Sequence, residues 1–189
     1  MHWDLDRHKI VIMSHFPLRL LDGLSEDILD LDEGQRLFSR GDPIRWLYIV
    51  RAGEVHLIRH LEAGQELVMS RSGPDSMVAE GSMFSDRYHC DAISMGPSRL
   101  SRFERGAVQA RISADPDAIR AWSQWLTHSL QAARTRAEIL SLKTVQERLE
   151  AWFALDPESE KSPSTWKSVA NEIGVSPEAL YRELARRKR

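Results

Sequence analysis

The chain has 189 residues, 42% of them hydrophobic, and sets 26 lysines and arginines against 28 aspartates and glutamates. That is enough for one sizeable core and a smaller one, while a formal charge of −2 excludes a basic coat that grips nucleic acid over its whole surface. No apolar run approaches the roughly 20 residues of a membrane span, and Met1-His2-Trp3-Asp4-Leu5-Asp6 lacks the regions of a signal peptide. The one cysteine, Cys90, excludes an intrachain disulfide. The expectation is a cytoplasmic protein with no membrane partner.

Taken in chain order, Leu20 to Leu31 carries Leu21, Leu24, Ile28 and Leu31, a short helical stripe that could close one end of a sheet. From about Leu37 to Phe103 the texture changes to short apolar segments cut by turn residues. Trp46 to Val50, Val55 to Ile58, Leu67 to Met69, Ala92-Ile93 and Leu100 to Phe103 are separated by Ala52-Gly53, Ala63-Gly64, Gly73-Pro74-Asp75 and Gly96-Pro97. Each glycine or proline reverses the chain before a helix can form, which predicts an antiparallel sandwich or roll. Trp46, Tyr48, Met69, Met77 and Met83 read as core, and His56 and His60 as decoration of a solvated strand. Residues 1–115 form this first domain in an α+β chain.

Asp115-Pro116-Asp117 suits a helix N-terminus, and neither glycine nor proline follows until Pro157. A long helix is predicted over 116–143. Ile119, Trp122, Leu126, Leu130, Ala133, Ala137 and Leu140 recur at spacings of three and four, on one stripe. At 1.5 Å per residue the helix runs roughly 35 to 40 Å, longer than a small roll easily covers, so pairing with the same helix of a second copy is the preferred reading. Packing within one chain is the alternative. The stripe resumes at Val145, Leu149, Trp152 and Phe153, the first helix of a domain over 144–189, and Glu158 to Pro163 reads as a loop.

In that last domain Ser164 or Thr165 can cap a helix through Val169, Ala170 and Ile173, and Gly174 accepts the left-handed backbone that ends it. Ser176-Pro177-Glu178 restarts a helix with a capping hydroxyl, a proline where no amide is needed and a carboxylate at the positive end of the dipole. With Val169, Ala170, Ile173, Val175, Leu180 and Leu184 buried, this is a helix-turn-helix pattern. In such a unit the second helix enters the major groove of double-stranded DNA. Its exposed residues are Pro177, Glu178, Tyr181 and Arg182. Arg182 can pair with guanine, and Glu178 can accept from cytosine or orient Arg182. Lys167, Ser176 and the terminal cations from Arg186 to Arg189 are placed for phosphate. A helical hairpin used for packing alone is the other reading.

Phe38-Ser39-Arg40-Gly41-Asp42, Leu47-Tyr48-Ile49-Val50, Gly53-Glu54-Val55 and Gly174-Val175-Ser176-Pro177-Glu178 with Arg182 resemble the cyclic-AMP receptor protein and fumarate/nitrate reductase regulator family (Crp/Fnr). The resemblance covers nearly the whole chain. It implies a β-roll of the cyclic-nucleotide-binding type, a long dimer helix and a C-terminal helix-turn-helix whose Glu178 and Arg182 read an operator. It also implies a homodimer, with RNA polymerase a further candidate partner.

Family members that bind cyclic AMP hold its ribose with a glutamate, matched by Glu80, and its phosphate with an Arg-Ser pair that here falls on Cys90 and Asp91. A carboxylate in that place would repel phosphate, which argues against cyclic AMP. The family's wing, a hairpin after the recognition helix, has no counterpart up to Arg189, so backbone grip is expected from the basic tail. Glu183 stands where the family is usually apolar.

His89, Cys90 and Asp91 offer imidazole, thiolate and carboxylate, each a metal ligand type, and haem or a metal at His89 or Cys90 is one reading. In a strand the three alternate between faces, and Cys90 as a small buried hydrophobe is the bland reading. The lack of a cysteine cluster argues against an iron–sulfur centre. No nucleophile-and-base spacing, phosphate loop or metal motif points to an enzyme. The function expected is a homodimeric, sequence-specific transcription regulator. The rival is a protein-interaction or allosteric module of the same fold with weak or lost DNA binding.

Overall fold

The computed structural model of the chain describes residues 17–61, 66–155 and 166–187. The Ala63-Gly64 turn, the loop at 158–163, the Ser164 or Thr165 cap, Lys188 and Arg189 lie outside them. Among the described residues eight strands come before the α-helices: β1 (Asp27–Leu31), β2 (Arg36–Phe38), β3 (Trp46–Ala52), β4 (Val55–His60), β5 (Glu66–Ser72), β6 (Met77–Val78), β7 (Asp91–Ser94) and β8 (Ser98–Glu104). Five helices follow: α1 (Arg105–Ala114), α2 (Pro116–Ser141), α3 (Val145–Leu155), α4 (Trp166–Glu172) and α5 (Pro177–Arg187). One compact unit ends at Trp125 and a second begins at Leu126, so the division falls inside α2 rather than at its start.

In the first unit the strands form two four-stranded sheets, ordered β1-β8-β3-β6 and β2-β7-β4-β5, with every pairing antiparallel. Phe38, Tyr48, Val50, Val55, Leu57, Tyr88, Ala92 and Leu100 fill the space between them. The rings of Phe38 and Tyr88 stack with centroids 3.6 Å apart. Alternate residues of β3 face the other way. Leu47 and Ile49 pack with Phe103 against Val108 and Ile112 of α1 and Ala118, Ala121, Trp122 and Trp125 of α2. A strand buried on both faces has no polar side to show, hence the unbroken apolar run from Trp46 to Val50.

Gly53 makes the β3–β4 turn at φ +84°, and a Cβ there would collide with Ser98 and the Pro97 carbonyl. This turn therefore requires glycine for both its backbone and its space.

Several expectations are corrected here. Leu20 to Leu31 is not a helical stripe: a 3-10 turn at Leu18–Leu21 gives way at Gly23, φ +78°, to β1, which pairs along its length with β8. Trp122 is not part of an outward stripe, being 5% exposed within the core of its own roll. Met69 is 44% exposed, because β5 is an edge strand. His56 is buried and paired with Glu54. Helix α1 had no counterpart in the sequence reading, since its buried residues, Val108 and Ile112, are too few to make a stripe.

In the second unit, Ile139, Leu149, Trp152, Val169, Ala170, Ile173 and Leu180 form one cluster, with Val175 and Leu184 packed against it. Helix α3 opens with a reciprocal cap: the Glu147 carboxylate accepts from the Thr144 amide at 2.9 Å, and the Thr144 hydroxyl accepts from the Glu147 amide at 3.1 Å. Such a box satisfies two amides that a helix start leaves open.

Candidate functional sites

The first site is the surface of α5. Helix α4 stops before Gly174, whose φ is +67°, and the Val175 amide closes the turn onto the Ala170 carbonyl at 2.9 Å. A Cβ on Gly174 would fall inside the Leu140 side chain, so the end of α2 lies directly on this turn. Ala170 is fully buried, as expected where two helices approach closely. Ser176 then caps α5, its hydroxyl accepting from the Ala179 amide at 3.2 Å, and Pro177 takes the first helical position.

Leu180 is fully buried and Leu184 half-buried, whereas Glu178, Tyr181, Arg182 and Ala185 are exposed. The spacing of those four, 178, 181, 182 and 185, puts them on one face of a helix. Arg182 makes no hydrogen bond or ion pair with any described residue. Glu178 does not pair with it. Its own backbone amide, and then the Ser176 hydroxyl, hold its carboxyl below the usual range. Lys167 is exposed on α4.

The basic tail behaves differently from expectation. Arg186 donates to both Glu183 oxygens, at 3.0 and 2.9 Å, and to the Gln146 side chain at 2.6 Å. Arg187 reaches Glu150 at 3.1 Å and lies over the Phe153 ring. Arg186, expected to grip phosphate, is thus turned back onto α3, because Glu183, Glu150 and Gln146 offer acceptors within reach. The same contacts answer the question of Glu183: Arg186 above all, then Arg187, keep its carboxyl ionised below the usual range.

Arg148 was missed by the sequence reading. Its guanidinium donates to the carbonyls of Leu142 at 2.9 Å and Leu140 at 3.0 Å, and to those of Ile173 at 3.2 Å and Gly174 at 3.1 Å. One cation therefore joins the end of α2 to the turn between α4 and α5. Arg136 adds a second link, to the Asn171 carbonyl at 3.2 Å. No periodicity marks such residues, since an arginine whose head binds backbone looks in sequence like any surface arginine.

A second surface is the outward stripe of α2. Ile119, Leu126 and Leu130 are 45%, 38% and 51% exposed, and Ala133 and Ala137 are exposed beside them. Leu140 ends the stripe, and part of it is spent on Gly174.

The third site lies in the roll. Glu80 opens a 3-10 turn at Glu80–Ser82, and burial raises its carboxyl pKa. Cys90 is buried between the sheets, with its thiol pKa raised mainly by desolvation. His89 is exposed and hydrogen-bonded to the Ser85 hydroxyl at 3.3 Å. Asp91 is buried, with Oδ1 accepting from the Arg40 amide at 2.9 Å and Oδ2 facing His60 at 3.3 Å. Of the four candidates, none is hydrogen-bonded to another, His89 being engaged by Ser85 and Asp91 by the Arg40 amide and His60. Among the described residues no group of three His, Cys, Asp or Glu side chains could hold a metal ion, and no helix is long and apolar enough to cross a membrane.

Comparison with known proteins agrees with this architecture. The cyclic nucleotide-binding domain family matches residues 28–115. A CRP-like cAMP-activated global transcriptional regulator of Mycobacterium tuberculosis is 32% identical over 94 residues, 50% of this chain and 38% of that protein. The chain thus spans well under half the length of that relative. The fumarate and nitrate reduction regulatory protein of Vibrio cholerae is 21% identical over 176 residues, 88% of this chain and 70% of that one. FixK2 of Bradyrhizobium japonicum shares the fold, with a TM-score of 0.65 at 15% identity over 86% of this chain and 84% of that one. The first of these is named a transcriptional regulator and the second a regulatory protein. The chain is thus similar to cyclic nucleotide-binding domains over residues 28–115 and, over most of its length, to a fumarate and nitrate reduction regulatory protein.

Proposed function

We propose that the chain is a homodimeric, sequence-specific DNA-binding transcription regulator whose roll answers to a ligand other than cyclic AMP. The observation that carries this reading is the outer face of α5. There Arg182 stands without a partner among the described residues, beside exposed Tyr181 and Glu178, on a helix fixed from behind by Leu180. An exposed guanidinium on a helix is suited to a bidentate pair with guanine, and Lys167 and Ser176 are the candidate phosphate contacts. The segments 1–115, 116–143 and 144–189 serve as sensor, dimer helix and DNA-binding domain.

Two copies joined along Ile119, Leu126, Leu130, Ala133 and Ala137 bury side chains that would otherwise stay in water. They also supply two α5 helices for half-sites about one DNA turn apart. Arg148 and Leu140 tie the end of α2 to the α4–α5 turn, so a shift of α2 carries that turn with it. Against cyclic AMP stands the chemistry of Cys90 and Asp91, which offer neither a cation nor a hydroxyl to a phosphate. A gel-shift series against competitor DNA at several salt concentrations tests the central claim: sequence preference at physiological salt supports it, and uniform or absent binding overturns it. Calorimetry with cyclic AMP tests the sensor claim, and saturable binding there overturns it.

One observation favours a second reading, an interaction or allosteric module with weak DNA binding. Arg186 and Arg187 are neutralised by Glu183 and Glu150, which leaves fewer cations for backbone. Arg182→Ala separates the two: a regulator loses sequence preference, and a module is indifferent.

A further inference from the structure

The last turn of α5 and the first half of α3 share a closed ring of five hydrogen-bonded side chains. Arg186 donates to the two Glu183 oxygens at 3.0 and 2.9 Å and to the Gln146 side-chain oxygen at 2.6 Å. Gln146 in turn donates to Glu150 at 2.9 Å. Arg187 closes the ring, reaching Glu150 at 3.1 Å and Glu183 at 3.3 Å. Two cations thus meet two carboxylates, and the ring carries no net charge.

Arg186 is the member best placed to leave. Its side chain is 60% exposed, against 29% for Arg187 and 10% for Glu183, and Arg187 is also held over the Phe153 ring at 5.5 Å. Arg186 follows Arg182 by four residues, one turn further along the same side of α5, so a duplex read by Arg182 would bring phosphate near it. To take that phosphate the guanidinium must give up three hydrogen bonds at once. Glu183 would keep only its longer contact to Arg187, and the Gln146 oxygen would lose its described partner. An isolated exposed ion pair yields readily, whereas a ring whose members support one another does not. A carboxylate left open beside phosphate adds repulsion to the loss.

We infer that Glu183, backed by Gln146 and Glu150, competes with the DNA backbone for Arg186 and withholds that cation from phosphate. This rests on the DNA-binding reading and adds to it a contact inside the chain that limits how tightly the backbone is held. The competition is blind to sequence, because phosphates are alike at every site. Releasing Arg186 therefore strengthens binding to all duplexes by one factor, and the preference among them stays with Arg182.

The test is binding of the full chain to a random-sequence duplex, followed against salt by fluorescence anisotropy, with retention on heparin as a second polyanion. Glu183→Gln keeps the shape of the side chain and removes its charge. It is expected to tighten duplex binding several-fold at low salt, to steepen the slope of log K against log salt by about one, and to delay elution from heparin. Gln146→Ala takes one acceptor from Arg186 without changing the net charge, and should move slope and elution the same way by less. Arg186→Gln separates release of this cation from the change in total charge: it should lose several-fold more affinity in the Glu183→Gln chain than alone, since only there is Arg186 free to be lost. Equal losses in the two backgrounds overturn the inference. So do a slope and an elution that neither Glu183→Gln nor Gln146→Ala moves while circular dichroism is kept. Operator preference is read separately in competition gel shifts: a responsive slope without preference removes the regulator and leaves the withheld cation, and preference with an unresponsive slope removes only the inference.

Discussion

The two compact units handle their charges in opposite ways. In the roll, charges are matched across strands, Asp30 with Arg99 at 2.8 Å and Asp27 with Arg102 at 3.3 Å between β1 and β8, and Glu80 is half-buried with its carboxyl pKa raised by desolvation. In the helical unit the apolar residues meet in one cluster, Arg186 and Arg187 are paired, and Arg182 is exposed without a partner among the described residues. A helix face selects by presenting hydrogen-bonding groups at fixed spacing. On the proposed function the first unit senses and the second recognises.

Leu180→Ala should produce the largest effect, about 2 to 5 kcal/mol of destabilisation for a fully buried leucine. If the units are energetically separate, the loss appears in Trp152 and Trp166 fluorescence during denaturation, while Trp46 and Trp125 in the roll unfold as before. A single shared shift would break the comparison. Arg182→Ala comes next: loss of one bidentate base contact, about 1 to 3 kcal/mol of discrimination, measured as a flattened preference in competition gel shifts with roll stability unchanged.

Thr144→Ala removes the cap of α3 and should cost about 1 kcal/mol, seen as a lower Tm of the helical unit alone. The smallest expected effect belongs to Glu80. Its folded pKa is raised, so its protonated form is favoured on folding. The contribution is fully present below the unfolded value near 4.5 and is lost as pH rises through the folded value. Glu80→Gln should therefore match the unsubstituted chain in acid and melt higher near neutral pH, and equal Tm values at both pH values would refute the burial argument.

Periodicity made part of this legible. Short apolar segments between Gly53, Gly73-Pro74 and Gly96-Pro97 reported the strands, because turns need residues that tolerate unusual backbone. The set Val169, Ala170, Ile173, Val175, Leu180 and Leu184 reported the C-terminal packing, because helical spacing survives whatever it packs on. Trp122 was misread for the same reason: spacing fixes which stripe a residue is on, not which neighbour covers it. The helical reading of Leu20 to Leu31 failed because an apolar residue every three or four positions also fits a turn followed by a strand. Arg148 and Arg186 were illegible as to role, since an arginine's partner depends on what folding brings within reach of its head group.

The sequence by itself determined that there would be a β-rich domain, a long helix and a capped two-helix end, because turns, caps and apolar spacing act over a few residues. Tertiary structure alone decided which charges are spent. It bent Arg186 and Arg187 onto α3, used Arg148 to join α2 to the turn at Gly174, and left Arg182 exposed. Electrostatic pairing acts through space over a few ångströms, and distances between residues far apart in the chain are set only when the core closes.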